Sequence, residues 1–151
     1  MFKLSNVENK VELELSVEGY QFPESPKDDW CIIKVIVKQD EDTFEAEDPA
    51  LETTELLSIL EWFRCLSERR LPRYARLCFT EPCLEFEFLA CTDSSVRISI
   101  HLSYELKPNF DLKQFGQRPS EWGVVFELDE SEFNKVISGV ESALVKCPVR
   151  G

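Results

Sequence analysis

Residues 83–105, CLEFEFLACTDSSVRISIHLSYE, decide the fold class. Leu84, Phe86 and Phe88 alternate with Glu85 and Glu87. After Cys91-Thr92-Asp93-Ser94, the residues Val96, Ile98, Ile100, Leu102 and Tyr104 alternate with Arg97, Ser99, His101, Ser103 and Glu105. A period of two with a short polar link is the pattern of an antiparallel hairpin with one buried and one wet face. The reading therefore gives strands over 83–90 and 95–105, preceded by another over 75–80 to make a meander.

Working outward, the same period recurs. Val11, Leu13, Leu15 and Val17 alternate with Glu12, Glu14, Ser16 and Glu18, which predicts a strand ended by Gly19, Pro23 and Pro26. WCIIKVIVK, from Trp30, is β-branched and apolar on both faces, as an interior strand should be. A short strand near Thr43–Glu47 follows an acidic hairpin turn at Asp40-Glu41-Asp42. GVVFEL, residues 123–128, is a further strand.

Two stretches change to helical spacing. Leu56, Ile59, Leu60, Phe63 and Leu66 form an apolar stripe in a helix expected to start near Thr53, with Glu52 and Glu55 at its positive end and Pro72 beyond it. Arg69 and Arg70 fall at its C-terminal end, where a capping role suits them better than contact with nucleic acid. Asp129 and Glu132 have capping-box spacing, and Leu128 with Phe133 has that of a hydrophobic staple. Phe133, Val136, Ile137, Val140 and Leu144 form that helix's stripe, and Pro148 ends it. Residues 107–121 carry Pro108, Gly116 and Pro119 and read as a long, mobile loop. The sum is one α+β domain over residues 1–151: a mostly antiparallel sheet of six to seven strands, with two amphipathic helices on one face. Its other face would carry Glu12, Glu14, Glu85, Glu87, Arg97 and His101 as an acidic plane.

Composition narrows the function. The 151 residues hold 29 acidic and 17 basic side chains, a formal net charge of −12. Such a surface repels nucleic acid and anionic membranes and attracts basic partners. The N-terminus has no basic region followed by a signal-like apolar stretch, and no apolar run approaches the ~20 residues of a membrane span. A soluble, cytoplasmic protein is expected. The six cysteines contain no Cys-x-x-Cys pair, and the single His101 cannot complete a Cys/His zinc site. Free thiols in a reducing compartment follow.

Motifs for catalysis are missing. The five glycines are scattered, and there is no Gly-x-Ser-x-Gly or His-Glu-x-x-His. Asp40-Glu41-Asp42 lacks the glycine and the closing glutamate of a calcium loop. No metal or cofactor is expected, and His101 reads as a surface histidine. Binding is favoured over chemistry, and the candidate contact residues are the dense acidic positions Glu12, Glu14, Asp40, Glu41, Asp42, Glu45, Glu47, Asp48, Glu85 and Glu87. An acidic secretion chaperone, or a small hydrolase using paired carboxylates or Cys/His, are the alternatives. The oligomeric state is left open.

Four stretches add a resemblance: GYQFPESPKDDWCIIKVIVK, DPALETTELLSILEWFRCLSE, FTEPCLEFEFLA and VRISIHLSYEL. Their Asp29-Trp30, Pro49-x-Leu51-x-Thr53, Leu60-Glu61-Trp62 and Glu81-Pro82-x-Leu84-x-Phe86 motifs resemble the WapI-like immunity proteins of bacterial polymorphic toxin systems, over residues 19 to about 106. None of these motifs is catalytic, and Trp30 and Trp62 suit a core. The resemblance implies a cytosolic antitoxin that binds and blocks a cognate toxin domain. Toxins of such systems are often nucleases, basic where they grip phosphate, so an acidic inhibitor would complement them.

Overall fold

Alternation along the chain produces eight antiparallel strands, and the computed structural model describes them within residues 1–113 and 122–150. The first sheet has order β1-β2-β3-β4, from Phe2–Asn6, Val11–Tyr20, Trp30–Gln39 and Asp42–Glu52. The second has order β5-β6-β7-β8, from Arg76–Cys78, Leu84–Cys91, Val96–Leu102 and Gly123–Leu128. Helices α1, Thr53–Ser67, and α2, Glu130–Lys146, complete an α+β fold. The expected class holds, while the strands number eight and divide into two sheets. The additional strand is β1, too short and too near the terminus for its Phe2 and Leu4 to register as a period. The division falls where α1 interrupts the strand run, so the first four strands pair among themselves.

The third expected strand was short, yet β4 runs eleven residues, Asp42–Glu52. A bulge in the β3–β4 ladder, between Cys31 and Ile33, takes up Pro49 and Ala50, so an edge-strand proline loses no ladder bond. In the β2–β3 ladder the register shifts between Val17 and Gly19, and Gly19 supplies φ +152° there.

One aromatic cluster joins both sheets and both helices. Phe63 of α1 meets Phe2 of β1 at 5.6 Å, Phe86 of β6 at 5.7 Å and Phe133 of α2 at 6.5 Å between ring centroids. Trp62 packs edge-on to Phe63 and donates its ring N–H to the Tyr74 carbonyl at 2.9 Å. Trp62 is buried, as its sequence context suggested, and Trp30 is half-buried. On the opposite flank Asn6 donates its side-chain amide to the Val125 carbonyl at 2.6 Å, bringing β1 beside β8.

The motif residue Asp29 is a structural tie. Its carboxylate accepts from the Thr53 hydroxyl and, at 2.9 Å, from the Arg150 N–H, while its carbonyl accepts from the Thr53 N–H at 3.1 Å. One side chain thus fixes the start of β3, the first turn of α1 and the C-terminal segment. Both helices start with reciprocal capping-box bonds, expected at α2 and found also at α1, where only a charge complement was expected. Glu55 accepts from the Glu52 N–H at 2.9 Å, and Asp129 accepts from the Glu132 N–H at 2.9 Å. Leu128 and Phe133, the staple pair, are both buried.

Two expectations change. The strand expected over 95–105 ends at Leu102, because Tyr104 adopts φ +52° and opens a 3₁₀ helix, Tyr104–Leu106. Tyr104 consequently leaves the apolar alternation and is 71% exposed. Of the expected loop over 107–121, residues 114–121 lie outside the described residues. The described part is tied down: Leu112 is buried, and Gln39 donates to the Lys113 carbonyl at 3.1 Å while accepting from its N–H at 2.9 Å.

Candidate functional site

A two-residue loop, Asp40–Glu41, joins β3 to β4, with Asp40 at φ +52° and Gln39 opposite Asp42. From this hairpin a line of carboxylates follows β4. Glu41, Asp42, Glu45 and Glu47 are exposed and Asp48 is half-buried. Lys113 lies 3.8 Å from Asp40, and Lys34 lies 2.8 Å from Glu45. The hydrogen bond and charge of Glu45 hold the Lys34 ammonium above its ordinary pKa. Glu41, Asp42 and Glu47 have no ion pair among the described residues.

At the far end of β4 the line continues onto neighbouring segments. Asp48 meets Cys83 and Glu105, and Glu81 lies close enough to act on both Asp48 and Cys83. The Cys83 thiol donates to Glu105 at 3.3 Å, with the Asp48 carboxylate at 3.8 Å. Burial first, then Glu105 and the surrounding carboxylates, push this thiol up to about 12. Desolvation, then Glu105 and Glu81, raise the Asp48 carboxyl as well. The Asp48, Cys83 and Glu105 ligand atoms lie within 4.8 Å of one another. With its thiol protonated and directed at Glu105, the group acts here as a hydrogen-bonded carboxylate cluster. Sequence reading missed Glu81 and Glu105, because the strand assigned through residue 105 concealed the turn that brings Glu105 back to Asp48.

The remaining candidate positions lie elsewhere. Glu12 and Glu14 project from β2 on the outer face of the first sheet, where Glu12 pairs with Lys3 at 3.4 Å and stands across from Lys38. Glu85 and Glu87 belong to β6 in the second sheet, where Arg76 reaches Glu85 at 2.5 Å and Glu87 at 4.0 Å. The expected single plane holding Glu12, Glu14, Glu85 and Glu87 therefore does not form. Arg97, expected on that plane, is paired with Glu127 at 2.6 Å on the second sheet.

His101 lies on the outer face of the second sheet, half-buried, with Ser99 Oγ at 2.9 Å and Glu87 Oε2 at 3.3 Å. Both partners use the same ring nitrogen, Nε2, whereas a nucleophile–base–acid relay uses one nitrogen for each. Its Nδ1 lies against Gly123. All six cysteines are free thiols, with Cys31, Cys83 and Cys147 buried. No helix of the described residues is long and apolar enough to cross a membrane.

A family model described as the immunity protein WapI-like family matches residues 3–148. The chain belongs to that family. The match runs well past residues 19 to 106, where the resemblance was legible, and takes in β1, β2, β8 and α2. No curated protein and no solved structure matched the chain. Within this WapI-like chain the motifs that carried the resemblance are structural: Asp29 ties three segments together, Trp62 and Leu84 are core, and Pro49 fills a bulge.

Proposed function

We propose that this chain is a non-enzymatic immunity protein that neutralises a cognate toxin domain by covering it, as one folded unit in the cytoplasm. The observation that carries the reading is membership of the WapI-like immunity family over residues 3–148. Net charge −12 and the carboxylates from Asp40 to Asp48 favour a partner that is basic at the contact, as a nuclease is where it holds phosphate. Occlusion supplies the inhibition and charge supplies the encounter rate, on the order of 10⁸ M⁻¹s⁻¹ at low salt.

Calorimetry against the toxin domain encoded beside this chain's gene tests the reading. A one-to-one complex with a Kd of about 10 nM or tighter is expected, with loss of toxin activity at equimolar inhibitor. Absence of binding at micromolar concentrations would overturn it.

A further inference from the structure

The strand order leaves β4 with one strand neighbour, β3; the Tyr104–Leu106 turn packs against β4 near Asp48, and among the described residues no strand pairs with its other side from Asp42 to Glu47. A two-residue hairpin places Gln39 and Asp42 as a hydrogen-bonded pair, and antiparallel ladders alternate from there. Asp42, Phe44 and Ala46 therefore turn their backbone groups to β3, while Thr43, Glu45 and Glu47 turn theirs outward. No hydrogen bond among the described residues reaches those outward groups.

We propose that this open edge docks an extended, basic strand of the toxin domain, which adds to the first sheet as a fifth strand. The inference rests on the immunity reading and names its contact. A strand docked there would exchange backbone bonds with Thr43, Glu45 and Glu47, whose side chains lie on the sheet's outer face. Its own residues at the paired positions would stand roughly 5.5 Å away between Cα atoms, on the same face. Lysine or arginine there meets Glu47, which has no ion pair among the described residues, and shares Glu45 with Lys34. Farther along, on the other face of β4, Asp48 with Glu81 and Glu105 has no ion pair among the described residues and adds to the negative charge at that end.

Charge decides between occupants. A second copy of this chain pairing edge to edge would set the Glu45 and Glu47 rows against each other, and like charges across a ladder are destabilising. Proteins commonly keep edge strands short or carry lysine on them. The unpaired stretch of this edge, Asp42–Glu47, carries carboxylates and no lysine, a combination suited to a cationic strand.

Amide hydrogen exchange on the wild-type protein, free and with the toxin domain encoded beside its gene, tests the contact. The Thr43, Glu45 and Glu47 amides should exchange at least tenfold more slowly in the complex. Thr43→Pro removes one outward N–H, leaves the β3 ladder intact, and should weaken binding at least tenfold. A complex in which those three amides keep their free rates overturns edge docking while the immunity reading stands. Protection of the edge without toxin, rising with protein concentration, overturns it in favour of self-pairing. Failure of the wild-type chain to bind overturns both proposals. Should Thr43→Pro not fold, exchange on the wild type alone decides.

Discussion

Arg69 occupies a backbone position that glycine usually fills. It follows the C-cap of α1 at φ +57°, where its N–H bonds the Leu66 carbonyl at 3.0 Å and the Arg70 N–H bonds the Cys65 carbonyl at 2.9 Å. These two bonds define a Schellman end, and a non-glycine residue there costs about 1 kcal/mol. The side chain offsets that cost by donating to the Thr92 and Asp93 carbonyls at 2.6 and 3.2 Å, tying α1 to the β6–β7 turn. Arg69→Ala keeps the strain and loses the ties, so urea unfolding should show a loss of about 1–2 kcal/mol. Arg69→Gly loses the ties but relieves the strain, and should lie about 1 kcal/mol above the alanine variant. Asp48 gives a pH signature. Its folded pKa is raised, so its contribution is fully present below the ordinary carboxylate range and is lost as pH rises through the folded value. Asp48→Asn should raise Tm at about pH 7 by a few degrees, and the gain should shrink as pH falls to about 4. An unchanged gain across that range would assign the effect to something other than charge. Sequence marked Arg69 as a helix-end residue and Asp48 as acidic. It could not show the carbonyls that Arg69 reaches or the carboxylates crowding Asp48, which come from segments far along the chain.

Between elements, glycines mark where backbones approach. A Cβ on Gly139 of α2 would stand 1.6 Å from the Met1 carbonyl oxygen and 2.7 Å from its carbon, both backbone atoms. Helix propensity favours alanine over glycine by about 1 kcal/mol, but overpacking costs about 1–3. The clash wins, and Gly139→Ala should destabilise by about 2 kcal/mol in denaturant titration. A Cβ on Gly123 of β8 would meet His101 Nδ1 at 2.6 Å, a side chain that can yield. Gly123→Ala should therefore cost about 1–2 kcal/mol alone and markedly less in a His101→Ala background, as a double-mutant cycle would reveal. Periodicity located α2 and β8 well, because each has a long apolar repeat. It did not locate β1, whose five residues, Phe2–Asn6, hold only two buried apolar side chains, although α2 packs against that strand as well as against β2 and β8.

Across the molecule, stability and recognition draw on different residues. The Phe63 cluster joins both sheets and both helices, so Phe63→Ala should cost about 3–5 kcal/mol and destabilise both sheets together. Thermal unfolding followed at tryptophan and by far-UV dichroism should shift in one step. On the outer faces several carboxylates are paired locally, through Lys3–Glu12, Arg76–Glu85 and Arg97–Glu127. Along β4 and its continuation, Glu41, Asp42, Glu47, Asp48, Glu81 and Glu105 have no ion pair among the described residues, while Glu45 and Asp40 are paired with Lys34 and Lys113. Sequence by itself determined the strand and helix types, both helix starts and the acidic balance, because periodicity, capping and charge are local or additive. It also supplied the family, through motifs that prove to hold the fold together. Only the tertiary structure decided that the strands form two sheets, that Glu85 and Glu87 part company with Glu12 and Glu14, and that β4 is left at an edge. Those outcomes depend on which strands pair, and pairing is settled by packing between residues distant in the chain, around Phe63 and Asp29.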